Sequence, residues 1–148
     1  MRGRGRAGVL AALALLGVTP ARGAEPIRVQ VGDGLRTVEV VAPDLITVLD
    51  AGTRRALFGI PGGRPIRIAA TAGGGMEATW GVAGAVDRRR LFMPGIRLET
   101  RRSGFRVGSR DYGGALEVWR NDGLLVVNEL PLEDYIAGTV RADRKSVV

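Results

Sequence analysis

The sequence predicts a mainly β protein, formally α+β: a region of short strands, then a β-hairpin that feeds one helix. Three observations carry this. Between Ile27 and Phe105 the apolar runs are short, and the clearest of them alternate with period two, the repeat of a half-buried strand. Glycine is abundant, at 23 of 148 residues, and with proline and aspartate it separates these runs. No stretch in that region sustains a 3.6-residue period, whereas one does from Leu132 onward.

The amino terminus reads as an address. Met1 to Arg6 is a short basic segment, and Ala7 to Val18 is an apolar run of 12 residues stopped by Thr19-Pro20. Ala21-Arg22-Gly23 then places small residues where a signal peptidase reads, so residues 1–23 are expected to be a Sec-type signal peptide. Cleavage is expected before Ala24, with a cut after Ala24 as the alternative. The run is short of the roughly 20 residues of an ordinary membrane span. An uncleaved anchor is the alternative, and only then is a membrane a partner. Secretion into the cell envelope is therefore the expected localisation.

Strands are expected at Ile27 to Val31, Thr37 to Val41, Leu45 to Leu49, Ala56 to Phe58, Pro65 to Ala69, Ala78 to Val82 and Ile96 to Thr100, with a turn at Gly32-Asp33-Gly34. They suggest a small sandwich or partial barrel over residues 24–105. Gly73-Gly74-Gly75 and Pro61-Gly62-Gly63 lack the strand, helix and Lys-Ser/Thr pair of a phosphate cradle and read as turns. The acidic residues Asp33, Glu39, Asp44, Asp50 and Glu77 stand singly, as solvated or turn-capping groups. Trp80 and Phe92 are candidates to line a sugar site, with core packing the plainer reading.

The hairpin is expected from Ala115 to Arg120, with Leu116 and Val118 on one face and Glu117 and Trp119 on the other. Asn121-Asp122-Gly123 forms the turn, with Gly123 able to take positive φ. Leu124 to Asn128 returns, its run Leu124 to Val127 apolar enough for burial on both faces. Pro131 opens a helix running from Leu132 into Val140, with Glu133 and Asp134 in its first turn. Leu132, Tyr135 and Ile136 share one face.

Composition narrows the chemistry. The chain has no cysteine and no histidine, which removes disulfides, thiolate nucleophiles, imidazole bases and the usual zinc sites. Only a carboxylate-based site for a hard metal is left open, and no cofactor or metal-ligating residue is assigned. The net charge is +7, but setting aside Arg2, Arg4, Arg6 and Arg22 leaves 18 basic against 15 acidic residues. With aromatics at 5%, stacking platforms are scarce, and nucleic acid is not an expected partner.

One segment carries a resemblance. Leu116-Glu117-Val118, then Val127-Asn128-Glu129-Leu130-Pro131-Leu132-Glu133-Asp134-Tyr135, then Gly138-Thr139-Val140 resemble the opening of the SpoIID/LytB domain of bacterial sporulation and cell-wall proteins. The likeness covers roughly 30 residues, about a fifth of the chain. It implies a peptidoglycan lytic transglycosylase acting on glycan strands, or a cell-wall factor that enhances an amidase. In the lytic members a single glutamate serves as acid and base, a role that suits a carboxyl of raised pKa. The slot of that glutamate falls at Asp143, the candidate catalytic residue; substrate-binding residues are not identified. Aspartate is one methylene shorter, and a displacement of roughly 1 Å can slow catalysis about a hundredfold. Residues 106–142 thus read as the start of the family domain. Residues 143–148, Asp143 to Val148, read as a sequencing-derived tail, so the gene is expected to continue and this chain to be inactive. The alternative function is a non-catalytic envelope module that binds peptidoglycan or enhances an amidase.

Overall fold

Among the residues described by the computed structural model, 25–82 and 85–137, the alternating runs form twelve strands. They are β1 (Pro26–Leu35), β2 (Thr37–Val41), β3 (Ile46–Asp50), β4 (Ala56–Ile60), β5 (Ile66–Ala70) and β6 (Met76–Val82), then β7 (Ala85–Leu91), β8 (Gly95–Glu99), β9 (Phe105–Val107), β10 (Arg110–Tyr112), β11 (Ala115–Arg120) and β12 (Leu124–Pro131). The expected leader over 1–23 and the slot at Asp143 lie outside the described residues.

Two six-stranded antiparallel sheets result, in the orders β10-β9-β2-β5-β6-β7 and β1-β12-β11-β8-β3-β4. Period-two alternation gives each a buried face. Val38, Val40, Ile66, Ile68 and Met76 of the first sheet share one core with Ile46, Val48, Ile96, Leu98, Leu116 and Val118 of the second. Each fully buried aliphatic side chain of this kind contributes about 1.5–3 kcal/mol. The strands of residues 28–130 thus make a β-sandwich, a single compact unit by its internal contacts. The expected junction at 105/106 falls inside β9, and strands from both sides of it share both sheets.

Among the described residues, a second unit comprises 25–27 and 131–137. Within it residues 132–137 are helical, and Leu132, Tyr135 and Ile136 are 38%, 43% and 50% exposed. The remainder of the expected helix, from Gly138, lies outside the described residues.

Several expectations are corrected. The turn at Gly32-Asp33-Gly34 does not interrupt β1, which continues to Leu35; Val31 and Leu35 pack on the core and hold the strand's line. Pro131 ends β12, and the helix begins after it. Strand β7 has no counterpart in the expectations, because six of its seven residues are exposed and Arg88 to Arg90 hide any alternation. It is an edge strand of its sheet, as β4 is of the other. Arg89, opposite Ala78, sets its guanidinium 4.5 Å from the centre of the Phe58 ring, and Phe58 stacks on Trp80 with centroids 5.6 Å apart. An inward-pointing arginine on an edge strand opposes the addition of a further strand. Strands β9 and β10, three residues each, were also too short to show a period.

Candidate functional site

The β11–β12 hairpin carries the charged centre of the sandwich. Alternation along β11 sends Leu116 and Val118 to the core and Glu117 and Trp119 to the other face. Glu117 is nonetheless only 1% exposed. Its Oε1 accepts from Arg28 of β1 at 2.7 Å and from the Trp119 indole at 3.0 Å; its Oε2 accepts from Arg97 of β8 at 2.9 Å. Arg97 also donates to Glu99 at 2.7 Å and to Glu129 of β12. Arg28 reaches Glu129 at 3.6 Å. Two arginines and three glutamates from four strands thus form one network.

The charges follow from this geometry. Burial pushes the Glu117 carboxyl up, but the hydrogen bonds from Arg28, Trp119 and Arg97 outweigh it and hold the carboxyl below its ordinary range. Burial alone would lower Arg97, yet its bonds to Glu99, Glu129 and Glu117 raise it further above neutrality. The hydrogen bond to Glu117 likewise raises Arg28, against a smaller effect of burial. A general acid needs a carboxyl that keeps its proton near neutral pH. Glu117 has the opposite setting, so its work is to fasten β1, β8 and β11 together.

Small residues make room for this arrangement. The Trp119 ring lies over Gly95 of β8, where a Cβ would run into its ring atoms. Gly123 does not take the positive φ expected of it. Its smallness matters for a different reason: a Cβ there would lie 2.8 Å from the Leu35 carbonyl oxygen. Beside it, Arg120 donates to the carbonyls of Gly75 and Thr71, each at 3.0 Å, and to that of Asn121, so one side chain joins the β5–β6 loop to the hairpin turn.

Asn128, which belongs to the Val127–Tyr135 motif, is also structural. It is 4% exposed, and its Nδ2 donates to the carbonyls of Gly113 at 2.7 Å and Ala115 at 3.0 Å, fixing the entry into β11. Nothing in the sequence pointed to its partners or to those of Glu117.

Trp80 and Phe92 do not form a shared sugar site. Trp80 packs against the core and on Phe58, while Phe92 is 81% exposed in the β7–β8 turn, beyond the other end of the β6–β7 pairing. Asp50 caps its turn as expected, accepting from the amides of Gly52 at 2.8 Å and Thr53 at 3.2 Å. Among the described residues no cluster of acidic side chains could hold a metal ion, and no helix is long and apolar enough to cross a membrane. No protein-family model, curated protein or solved structure matches the chain.

Proposed function

We propose that this chain is a secreted bacterial cell-wall protein of the SpoIID/LytB type, whose complete form is a peptidoglycan lytic transglycosylase. The observation that carries the reading is the motif pair Leu116-Glu117-Val118 and Val127 to Tyr135, on a hairpin whose return strand leads through Pro131 into a helical segment. The leader-like segment over 1–23 supports an envelope location.

The chemistry asks for one carboxyl at the Asp143 slot. It would protonate the glycosidic oxygen as the bond to the anomeric carbon breaks. The resulting carboxylate would then take the proton of the sugar's own C6 hydroxyl as that oxygen closes onto the same carbon. The product is an anhydro sugar, no water is consumed, and the acid is regenerated. Glu117 is unsuited to this role because it is held ionised.

The second reading is a non-catalytic module that binds peptidoglycan or enhances an amidase. It needs no carboxyl at the Asp143 slot, and in both readings the engaged carboxylate of Glu117 is scaffold. Purified wall sacculi incubated with the complete form separate the two. Retention of the protein with release of anhydro-muropeptides supports the enzyme, and retention without release supports the module. No retention at all sinks both.

A further inference from the structure

A second feature lies at the end of β8 away from the Trp119–Gly95 contact. A cleft of about 420 Å³ opens there between the β2–β3 and β8–β9 connections. That size is within the ordinary range for small-ligand sites. Asp44, Leu45 and Thr47 form one wall; Glu99, Thr100, Arg101 and Arg102 form the other. Thr47 and Glu99 are cross-strand partners, so the two walls meet there.

Both walls are held in place. Thr100 Oγ1 accepts from the Gly104 amide at 3.0 Å, closing the loop that carries the two arginines. The Gly63 amide donates to the Ala42 carbonyl at 2.7 Å, holding the opposite loop. The charges are unequal in their freedom. Glu99 is engaged by Arg97 at 2.7 Å. Arg101 and Arg102 are exposed and pair with no carboxylate among the described residues. Leu45 presents an apolar side chain, 58% exposed, on the facing wall.

We propose that this cleft binds a sugar bearing a carboxylate. The guanidinium groups of Arg101 and Arg102 take the carboxylate, since charge-assisted forks are the strong way to hold it. The Thr47 hydroxyl and the carboxylates of Asp44 and Glu99 accept from sugar hydroxyls, and Leu45 packs on an apolar ring face. Two carboxylates beside the arginines would repel a multiply charged phosphate, yet they are useful to a polyol with one negative group. The choice of sugar rests on the cell-wall reading: of the two sugars that alternate in peptidoglycan, N-acetylmuramic acid alone has a carboxyl group, which is a free carboxylate where no stem peptide is attached.

The test is a titration of the full chain, labelled with nitrogen-15, followed by amide chemical shifts. N-acetylmuramic acid is expected to give saturable shifts at Thr47 and at Thr100 to Arg102. N-acetylglucosamine, which lacks the carboxylate, is expected to bind about tenfold more weakly or worse, and so is N-acetylmuramic acid to the R101Q/R102Q variant. Both replaced side chains are exposed, so an unchanged spectrum of the free variant serves as the folding control. Absence of a saturable shift with N-acetylmuramic acid overturns the proposal. So does equal binding of N-acetylglucosamine, of inorganic phosphate, or of the variant. Retention on sacculi without these shifts overturns the cleft and leaves the cell-wall reading standing. The shifts without retention support the cleft and count against that reading.

Discussion

Arg97 and Glu117 face each other across β8 and β11, and the guanidinium donates to Oε2 of the carboxylate at 2.9 Å. Their side chains are 11% and 2% exposed. Removing one partner from such a pair leaves the other charged and desolvated, which costs about 3–5 kcal/mol. Glu117→Ala and Arg97→Leu are therefore expected to lower unfolding free energy by about 3 kcal/mol or more. Glu99, 42% exposed, is a peripheral partner, and Glu99→Ala should cost under about 1 kcal/mol. Urea denaturation of the three variants checks this order; equal losses would show that Glu117 is not the centre of the network.

The same carboxyl gives an acid-side pH dependence. Its folded pKa lies below the unfolded value, about 4.3 for a free glutamate. Its contribution is thus fully present above that unfolded value and is lost as pH falls through the lower folded one. Thermal melts of the wild type should decline through that acid window. Glu117→Gln should be less stable at neutral pH and should decline less steeply, and parallel curves would refute the assignment.

Gly95 and Gly123 are required for space rather than for backbone freedom. Gly95→Ala pushes a Cβ into the Trp119 ring, and overpacking of this kind costs about 1–3 kcal/mol. The double variant Gly95→Ala/Trp119→Leu should recover part of the loss. At Gly123, asparagine should be no better tolerated than alanine, because neither fits against the Leu35 carbonyl. Asparagine markedly better than alanine would instead point to a left-handed conformation.

Arg120 spans a loop and a turn with one planar guanidinium. Lysine cannot reproduce several fixed donors from one ammonium. Arg120→Lys is expected to destabilise by about 1–3 kcal/mol through unsatisfied carbonyls. It should also speed amide hydrogen exchange in residues 71–75 and 121–123. A normal exchange pattern there would mean that the contact is dispensable.

Much of the sandwich was legible locally. The runs at Thr37 to Val41, Ala115 to Arg120 and Leu124 onward appear as strands because alternation is a property of neighbouring residues. Charge hid β7, where Arg88 to Arg90 cover an edge, and brevity hid β9 and β10. The partners of Glu117 were illegible for another reason. Arg28 is 89 residues away and Arg97 is 20, and only the order in which strands pair decides which charges meet.

The sequence by itself determined the strand-rich character, the sidedness of β11 and the hairpin at Asn121 to Gly123, all consequences of period and turn chemistry within a few residues. The tertiary structure alone decided that β11 and β12 enter a sheet between β8 and β1. That insertion buries Glu117 among two arginines and an indole, and makes space, not φ, the reason for Gly123. Side-chain period is local, whereas burial and pairing depend on which distant strands lie next to one another.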